Sequence, residues 1–408
     1  MDKKRLIFIS LFIVAVIALG YGMYRVFFAR PKVPREVPGA PTTEAPAATG
    51  AFPSAGVGER RPGEAAAPGA LPTGVEKPTD TFRPAPPSAR EELVVDAAVV
   101  DPTVTAGGNV QFYNQNDGKF YRLAADGSLQ ELTDEVFFDV QNVEWSPNQN
   151  EAIIEYPDGA NIYYDFAAKR QATLPKHWEE FSFSAAGDRI AAKSIGFSPE
   201  NRWLVAADPD GENVQFVEPM GNNANKVTVD WSPNRQVVAL SRTGAPLGAD
   251  RQEVLLVGLN GENFRSLIVE GRGFQSQWST GGQQLLYSVY NANSEFKPEL
   301  WITDAAGDSI GANRRPLLLN TWAEKCAFVN ESALYCAVPN RLEIGAGFQP
   351  TLADNTPDTL YKIDLRTGRK TPVQLDSAHV IDKIFLTPDG RGLHFTDKAS
   401  DGVFQVNL

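Results

Sequence analysis

Soft metal ligands are scarce in this chain: 408 residues contain two cysteines, Cys326 and Cys336, and three histidines, His177, His379 and His394. That scarcity argues against a metal cluster, and neither a metal nor another cofactor is expected. Positive charge is also in deficit. The formal net charge is −12; residues 1–35 carry seven Lys/Arg against Asp2 and residues 36–90 five against six, which leaves about −17 on residues 91–408. A polyanionic domain repels phosphate backbones, so nucleic acid is not an expected partner.

Long hydrophobic runs are lacking too, with one exception at Leu6 to Phe28, where nineteen residues from Leu6 to Tyr24 carry no charge. That length spans a bilayer as a single helix. Lys3-Lys4-Arg5 before it would also suit a cleaved signal peptide, but the run exceeds a usual signal core and no small-x-small cleavage site follows. The sequence therefore reads as a short cytoplasmic tail at 1–5 and an uncleaved anchor at 6–28. Lys and Arg flank the span on both sides, so charge alone does not orient it. Residues 29–90 hold thirteen prolines and thirteen alanines with almost no apolar periodicity. Such a stretch reads as a disordered tether with a reach on the order of 45 Å.

From residue 91 onward an apolar, alternating pattern takes over. Its key phrase is Trp231-Ser232-Pro233-Asn234, set in Val229-Asp230-Trp231-Ser232-Pro233-Asn234-Arg235-Gln236-Val237-Val238, which is the grammar of a β-hairpin. It returns at Val143-Glu144-Trp145-Ser146-Pro147-Asn148, Phe181-Ser182-Phe183-Ser184, Ser276-Gln277-Trp278-Ser279, Cys326-Ala327-Phe328-Val329-Asn330 and Ile384-Phe385-Leu386-Thr387-Pro388-Asp389-Gly390. The period is roughly 40 to 50 residues, that of a propeller blade. A second signature, an apolar strand running into an Asx and Gly turn, recurs at Phe120–Gly127, Trp203–Gly211, Val254–Gly261, Leu300–Gly307 and Leu360–Gly368. Ile162–Tyr164 and Val403–Val406 complete seven such strands. The expected fold is an all-β, seven-bladed β-propeller over 91–408, with six blades as the alternative. The last repeat has no fourth strand of its own, so Leu93–Asp96 is expected beside Val403–Val406 to close the ring.

The phrases Trp145-Ser146-Pro147-Asn148, Trp231-Ser232-Pro233-Asn234 and Thr387-Pro388-Asp389-Gly390 resemble the WD-like repeats of TolB-type bacterial propellers and of the propellers that front prolyl-oligopeptidase-like peptidases. The likeness covers roughly 91–408 and implies the fold more than any function. This chain departs from TolB in its anchor, its tether and its want of a separate amino-terminal α/β domain, so TolB's Pal-binding role does not carry over. No hydrolase domain follows the propeller, as it does in the peptidases.

Local motifs give little chemistry. Gly307-Asp308-Ser309-Ile310-Gly311 matches Gly-x-Ser-x-Gly, but a nucleophile elbow needs a helix after it and Ala312-Asn313-Arg314-Arg315-Pro316 makes a poor one. Asp208-Pro209-Asp210-Gly211-Glu212-Asn213 lacks the later glutamate of a calcium loop. Both read as hairpin turns, and no catalytic residue is assigned. The cysteines say more. With a turn centred on Glu331, Val329 faces Ala333, Phe328 faces Leu334 and Cys326 lies opposite Cys336, within reach of a disulfide. A disulfide would put the propeller outside the cytoplasm.

Insertions point to a surface. Loops between second and third strands lengthen at Ser194–Arg202, Arg242–Gln252, Val289–Pro298 and Val338–Thr359, all on one face of the ring. Arg202, Arg251, Tyr290, Phe296, Arg341 and Phe348 are the candidate binding residues there, because Arg and aromatics dominate hot spots. The sequence is thus read as a single-pass cell-membrane protein displaying an extracytoplasmic propeller, a non-catalytic scaffold for a protein partner or for envelope assembly. The competing reading is a carbohydrate-binding protein, hydrolase or lyase with its site in the central channel, which clustered carboxylates at the channel mouth would favour.

Overall fold

The computed structural model describes residues 91–408, and the tail, anchor and tether expected at 1–90 lie outside the described residues. Residues 91–408 form seven antiparallel four-stranded sheets. Helical residues among them are confined to five short 3-10 turns. The first repeat is regular, with strands Val99–Val104, Val110–Asn114, Lys119–Leu123 and Leu129–Glu131, so the ring has seven blades rather than six.

The recurring Ser-Pro phrase has a mechanical reason. It joins the inner strand of a blade to the second strand through a turn in which the N–H three residues after the Ser or Thr donates to that residue's carbonyl. This bond is made at Ser146, Ser184, Ser232, Ser279 and Thr387. Each donor takes a left-handed φ: 69° at Gln149, 72° at Gly187, 64° at Arg235, 67° at Gly282 and 68° at Gly390. At four of the five, all but Ser146, the hydroxyl then ties the turn from inside. Ser232 Oγ donates to Asn234 Oδ1 at 2.7 Å and accepts from Val237 N at 2.9 Å. Thr387 Oγ1 repeats this with Asp389 at 2.6 Å and Gly392 N at 2.8 Å. A side chain that competes with backbone hydrogen bonding is an asset in such a turn.

Blade 6 lacks the phrase and closes its hairpin differently. Asn330 Oδ1 accepts from Ser332 N at 2.8 Å, so Asn330 rather than Val329 faces Ala333, and the surplus residue is absorbed as a bulge between Phe328 and Asn330. Phe328 still pairs with Leu334 and Cys326 with Cys336, and the two cysteines form a disulfide across a Cα separation of 4.0 Å. Both are fully buried in the layer between blades 5 and 6.

The core is a ring of such layers. Tyr113 and Phe120 of blade 1 meet Ile154 and Tyr164 of blade 2; Ala191 and Leu204 of blade 3 meet Val229 and Trp231 of blade 4; Tyr335 and Leu360 of blade 6 meet Phe395 and Val406 of blade 7. Each fully buried aromatic or branched side chain stabilises by roughly 1.5–3 kcal/mol. Charged pins cross the layers sparingly. Lys325 Nζ reaches both carboxylate oxygens of Asp358 at 2.8 Å, and Asp358 also accepts from Ile381 N of blade 7 at 2.8 Å.

Closure uses the earliest described residues. The strand Glu91–Val95 is the outer strand of blade 7, with Val95 opposite Val403, Leu93 opposite Phe404 and Glu91 opposite Val406, beginning two residues before the expected segment. Side chains clasp it in place. His379 Nδ1 lies 2.5 Å from Asp397 Oδ2 and its Nε2 2.8 Å from Glu91 Oε1, while Ser377 Oγ donates to the same Glu91 oxygen at 2.7 Å. Burial opposes ionisation of Glu91, but the hydrogen bonds from Ser377 and His379 outweigh it and hold the carboxyl below its ordinary range. Gly402 makes the approach feasible. Its φ is +113°, and a Cβ there would sit 2.2 Å from the Val95 carbonyl oxygen.

Two outcomes are expected. Gly402→Ala should cost about 2–4 kcal/mol in denaturant unfolding, against about 1 kcal/mol for Gly127→Ala, whose φ is +81° but which has open space around it. Equal costs would mean that the closing strand is not held as described. The Cys326→Ala/Cys336→Ala pair should lose about 3 kcal/mol, the loop-entropy value for so short a bridge, measured by the same method.

Candidate functional site: the loop face and the channel mouth

The structure brings together three of the six candidate binding residues. The loop at 291–298 of blade 5 and the loop at 340–357 of blade 6 are zipped by backbone bonds, Gly345 N to Glu295 O at 3.0 Å and Gly347 N to Phe296 O at 2.7 Å. Gly347 has to be glycine, since a Cβ would lie 2.6 Å from Tyr290 Cβ and 2.7 Å from the Phe296 carbonyl oxygen. This brings Phe348 edge-on to both Tyr290, at 5.9 Å and 62°, and Phe296, at 6.0 Å and 74°. Phe348 is 59% exposed and Phe296 41%, and the neighbouring Ile344, which the sequence reading passed over, is 69% exposed. Glu295 and Phe296 both hold positive φ, 55° and 56°, a conformation that costs non-glycine residues energy and persists only where the surroundings impose it.

The three arginines stand apart from this cluster. Arg202 Nε donates to Gly196 O at 3.1 Å and closes its own loop. Arg341 pairs with Glu343 at 3.2 Å, and Arg251 is exposed on the loop of blade 4. That loop is held instead by Arg272 of blade 5, which donates to the carbonyls of Pro246 and Gly248.

The second feature is the channel. Inner strands slip register between Val100 and Thr103, between Glu179 and Ser182, and between Ile381 and Ile384. At the first two slips a carboxylate residue takes positive φ, 41° at Asp101 and 58° at Glu180. Bulges re-aim side chains. Asp101 thereby joins three blades: Lys383 of blade 7 donates to Oδ1 at 2.5 Å, Val143 N of blade 2 to Oδ2 at 3.0 Å, and Trp145 Nε1 to the carbonyl at 2.8 Å. Glu180 pairs with Lys193.

Glu144 and Asp230 complete the group. Burial, then the charges of Asp101, Asp230 and Glu155, push the Glu144 carboxyl up to about 8. Burial, then Glu180, pushes Asp230 up to about 7 against a lowering contact from Trp278. Carboxyls from blades 1, 2 and 4 that act on one another meet only near the ring axis. Sequence reasoning missed them, although the signal was present: in Val143-Glu144-Trp145-Ser146-Pro147 and Val229-Asp230-Trp231-Ser232-Pro233 an acid immediately precedes the core tryptophan, and strand alternation turns it to the blade face opposite that tryptophan.

Two cavities open at this mouth, about 310 Å³ beside Asp101 and Lys383 and about 480 Å³ beside Glu155 and Trp178, meeting at Gln141 and Asn142. Among the described residues no group of three or more His, Cys, Asp or Glu side chains is arranged to hold a metal ion. The Gly307–Ser309 segment is a 3-10 turn in which Ser309 Oγ donates to the Ala306 carbonyl at 2.7 Å. Asp208–Glu212 closes a hairpin through Gly211 N and the Asp208 carbonyl at 2.9 Å.

The raised carboxyls have a stability consequence. A carboxyl whose folded pKa exceeds its unfolded value favours the folded state below the unfolded pKa and loses that contribution as pH rises through the folded one. Stability should therefore fall between about pH 4 and the folded values near 7 and 8. Asp230→Asn and Glu144→Gln should each add about 1–3 kcal/mol at pH 8 and little at pH 4, read from denaturant midpoints across that range. Parallel wild-type and variant pH profiles would contradict the channel electrostatics described.

No protein-family model matches the chain, and no curated protein matches it. Solved structures do. An oligogalacturonate lyase in complex with manganese aligns at a TM-score of 0.55 and 14% identity, covering 78% of this chain and 93% of that one. An oligogalacturonate lyase from Vibrio parahaemolyticus aligns at 0.55 and 12%, covering 78% and 94%. The β-propeller domain of Cps50 (Swd1) from Myceliophthora thermophila aligns at 0.53 and 11%, covering 78% and 100%. Identities this low speak to architecture alone, and residues 91–408 have the fold of a seven-bladed β-propeller.

Proposed function

We propose that this protein is a membrane-tethered, extracytoplasmic propeller that binds a protein partner or organises an envelope assembly without catalysing a reaction. The aromatic rim built by blades 5 and 6 carries this reading. A rigid scaffold presents Phe348, Phe296 and Ile344 to solvent on loops locked by backbone bonds, and ordered aromatics in exposed positions are what protein recognition uses. The Cys326–Cys336 disulfide supports an oxidising compartment, and the uncharged run at 6–24 supports attachment to the cell membrane as a TolB-like, WD-repeat protein with a signal anchor.

A second reading rests on the channel mouth. Carboxylates from several blades converge beside two cavities, the arrangement expected of a ligand site at the axis, whether of a carbohydrate-binding protein or of a hydrolase or lyase. The lyases that share the fold do not decide between the readings, because one fold hosts many functions.

Crosslinking at the surface of cells carrying the intact protein tests the rim. The wild type should give a discrete crosslinked species that Phe296→Ala/Phe348→Ala reduces at least tenfold, with thermal unfolding of the variant little changed. Undiminished crosslinking in the variant would refute the rim as the docking surface.

A further inference from the structure

The cavity of about 480 Å³ between blades 2 and 3 has the chemistry of a saccharide site. It is large enough for one or two sugar rings and combines an aromatic wall with converging polar groups, the usual composition of small-ligand clefts. Tyr156 and Trp178 supply the aromatic side, and Asn142, Glu155, Glu179 and Glu180 the polar one. Trp178 is 4% exposed and lines the cavity, and its indole N–H makes no hydrogen bond among the described residues. A donor without a protein partner on a cavity wall is free to pair with an acceptor from a ligand or water.

The opposite side offers acceptors. Asn142 Nδ2 donates to Glu155 Oε1 at 2.6 Å, which leaves Glu155 Oε2 and Asn142 Oδ1 uncommitted by that bond. Burial raises the Glu155 carboxyl, against a lowering hydrogen bond from Asn142. Glu179 is exposed at the rim of the cavity. A sugar hydroxyl is donor and acceptor at once and satisfies both walls, whereas a simple cation would leave the Trp178 N–H unmet.

Charge narrows the class. Glu155, Glu179 and Glu180 face the cavity, and the nearby lysines are already paired, Lys176 with Asp158 at 2.9 Å and Lys193 with Glu180. An acidic polysaccharide would bring carboxylates against carboxylates. The geometry points to a short saccharide without acidic groups, neutral or amine-bearing, bound between blades 2 and 3 with its hydroxyls bridging the Trp178 N–H and the Glu155 carboxyl. This inference rests on the channel-mouth reading and is independent of the rim on blades 5 and 6.

Titration calorimetry and ligand-observed NMR on the full chain, with cellobiose, the glucosamine disaccharide and digalacturonate as probes, test it. Cellobiose and the glucosamine disaccharide should bind and digalacturonate should not. Trp178→Phe, which keeps the buried ring and removes the N–H, should weaken both by about 2–10-fold. Glu179→Gln should weaken the amine-bearing probe by about 2–5-fold more than it weakens cellobiose. The Phe296→Ala/Phe348→Ala variant should bind as the wild type does, so that failure of the rim and failure of this site are told apart. Binding of none of the probes, preference for digalacturonate, or equal affinities in wild type and Trp178→Phe would each overturn the assignment.

Discussion

Every blade of this molecule has two apolar faces, and only a neighbour can cover each of them. The inter-blade layers, such as Tyr113 and Phe120 against Ile154 and Tyr164, are therefore not accessories to seven finished domains but the core itself. A row of such sheets with free ends would leave one face bare at each terminus. Closure through Glu91–Val95 removes both bare faces at once, and the layer of Val95, Val110, Phe112 and Val403 is the result. The Glu91, His379, Asp397 and Ser377 clasp shows how much polar bonding is concentrated at that seam.

The two faces of the ring are built to different rules. Outside blade 6, turns between inner and second strands repeat one design, with a left-handed residue at a fixed place and in most a bonded hydroxyl inside, so that face varies little among those blades. Loops between second and third strands carry no such template and differ in length and content. Aromatic exposure at Phe296 and Phe348 and the openings beside Gln141 and Asn142 both lie on this freer side. At the axis, Glu144 and Asp230 are held in surroundings that disfavour their charge, and a purely structural channel would gain stability by replacing them.

Much of the architecture was legible because it repeats. Trp145, Phe183, Trp231 and Trp278 recur with the same polar turn after them, and repetition averages out the ambiguity of any one short strand. The closing strand followed from counting, since Val403–Asn407 is the last strand of the chain and its sheet still needed a fourth. The disulfide followed from register, and a one-residue bulge at Val329 did not disturb it because the slip lies on the turn side of the pairing. The site was less legible. Asp101 and Glu180 reach the channel through bulges and positive φ, and acidic side chains in ordinary-looking strands do not announce either. Tyr290, Phe296 and Phe348 were named from loop length, but their meeting depends on two backbone bonds between loops some fifty residues apart.

The clasp at Glu91 also ties distant parts of the chain together. Its carboxylate is held by Ser377, 286 positions later, so the seam joins the two ends of the described propeller. Without it blade 7 is a three-stranded sheet with an open edge, and blade 1 has no neighbour on one side. Chain entropy penalises so distant a contact, and the whole ring must stand before the contact is rewarded. Loss of that one contact would accordingly expose an edge on blade 7 and a face on blade 1 together.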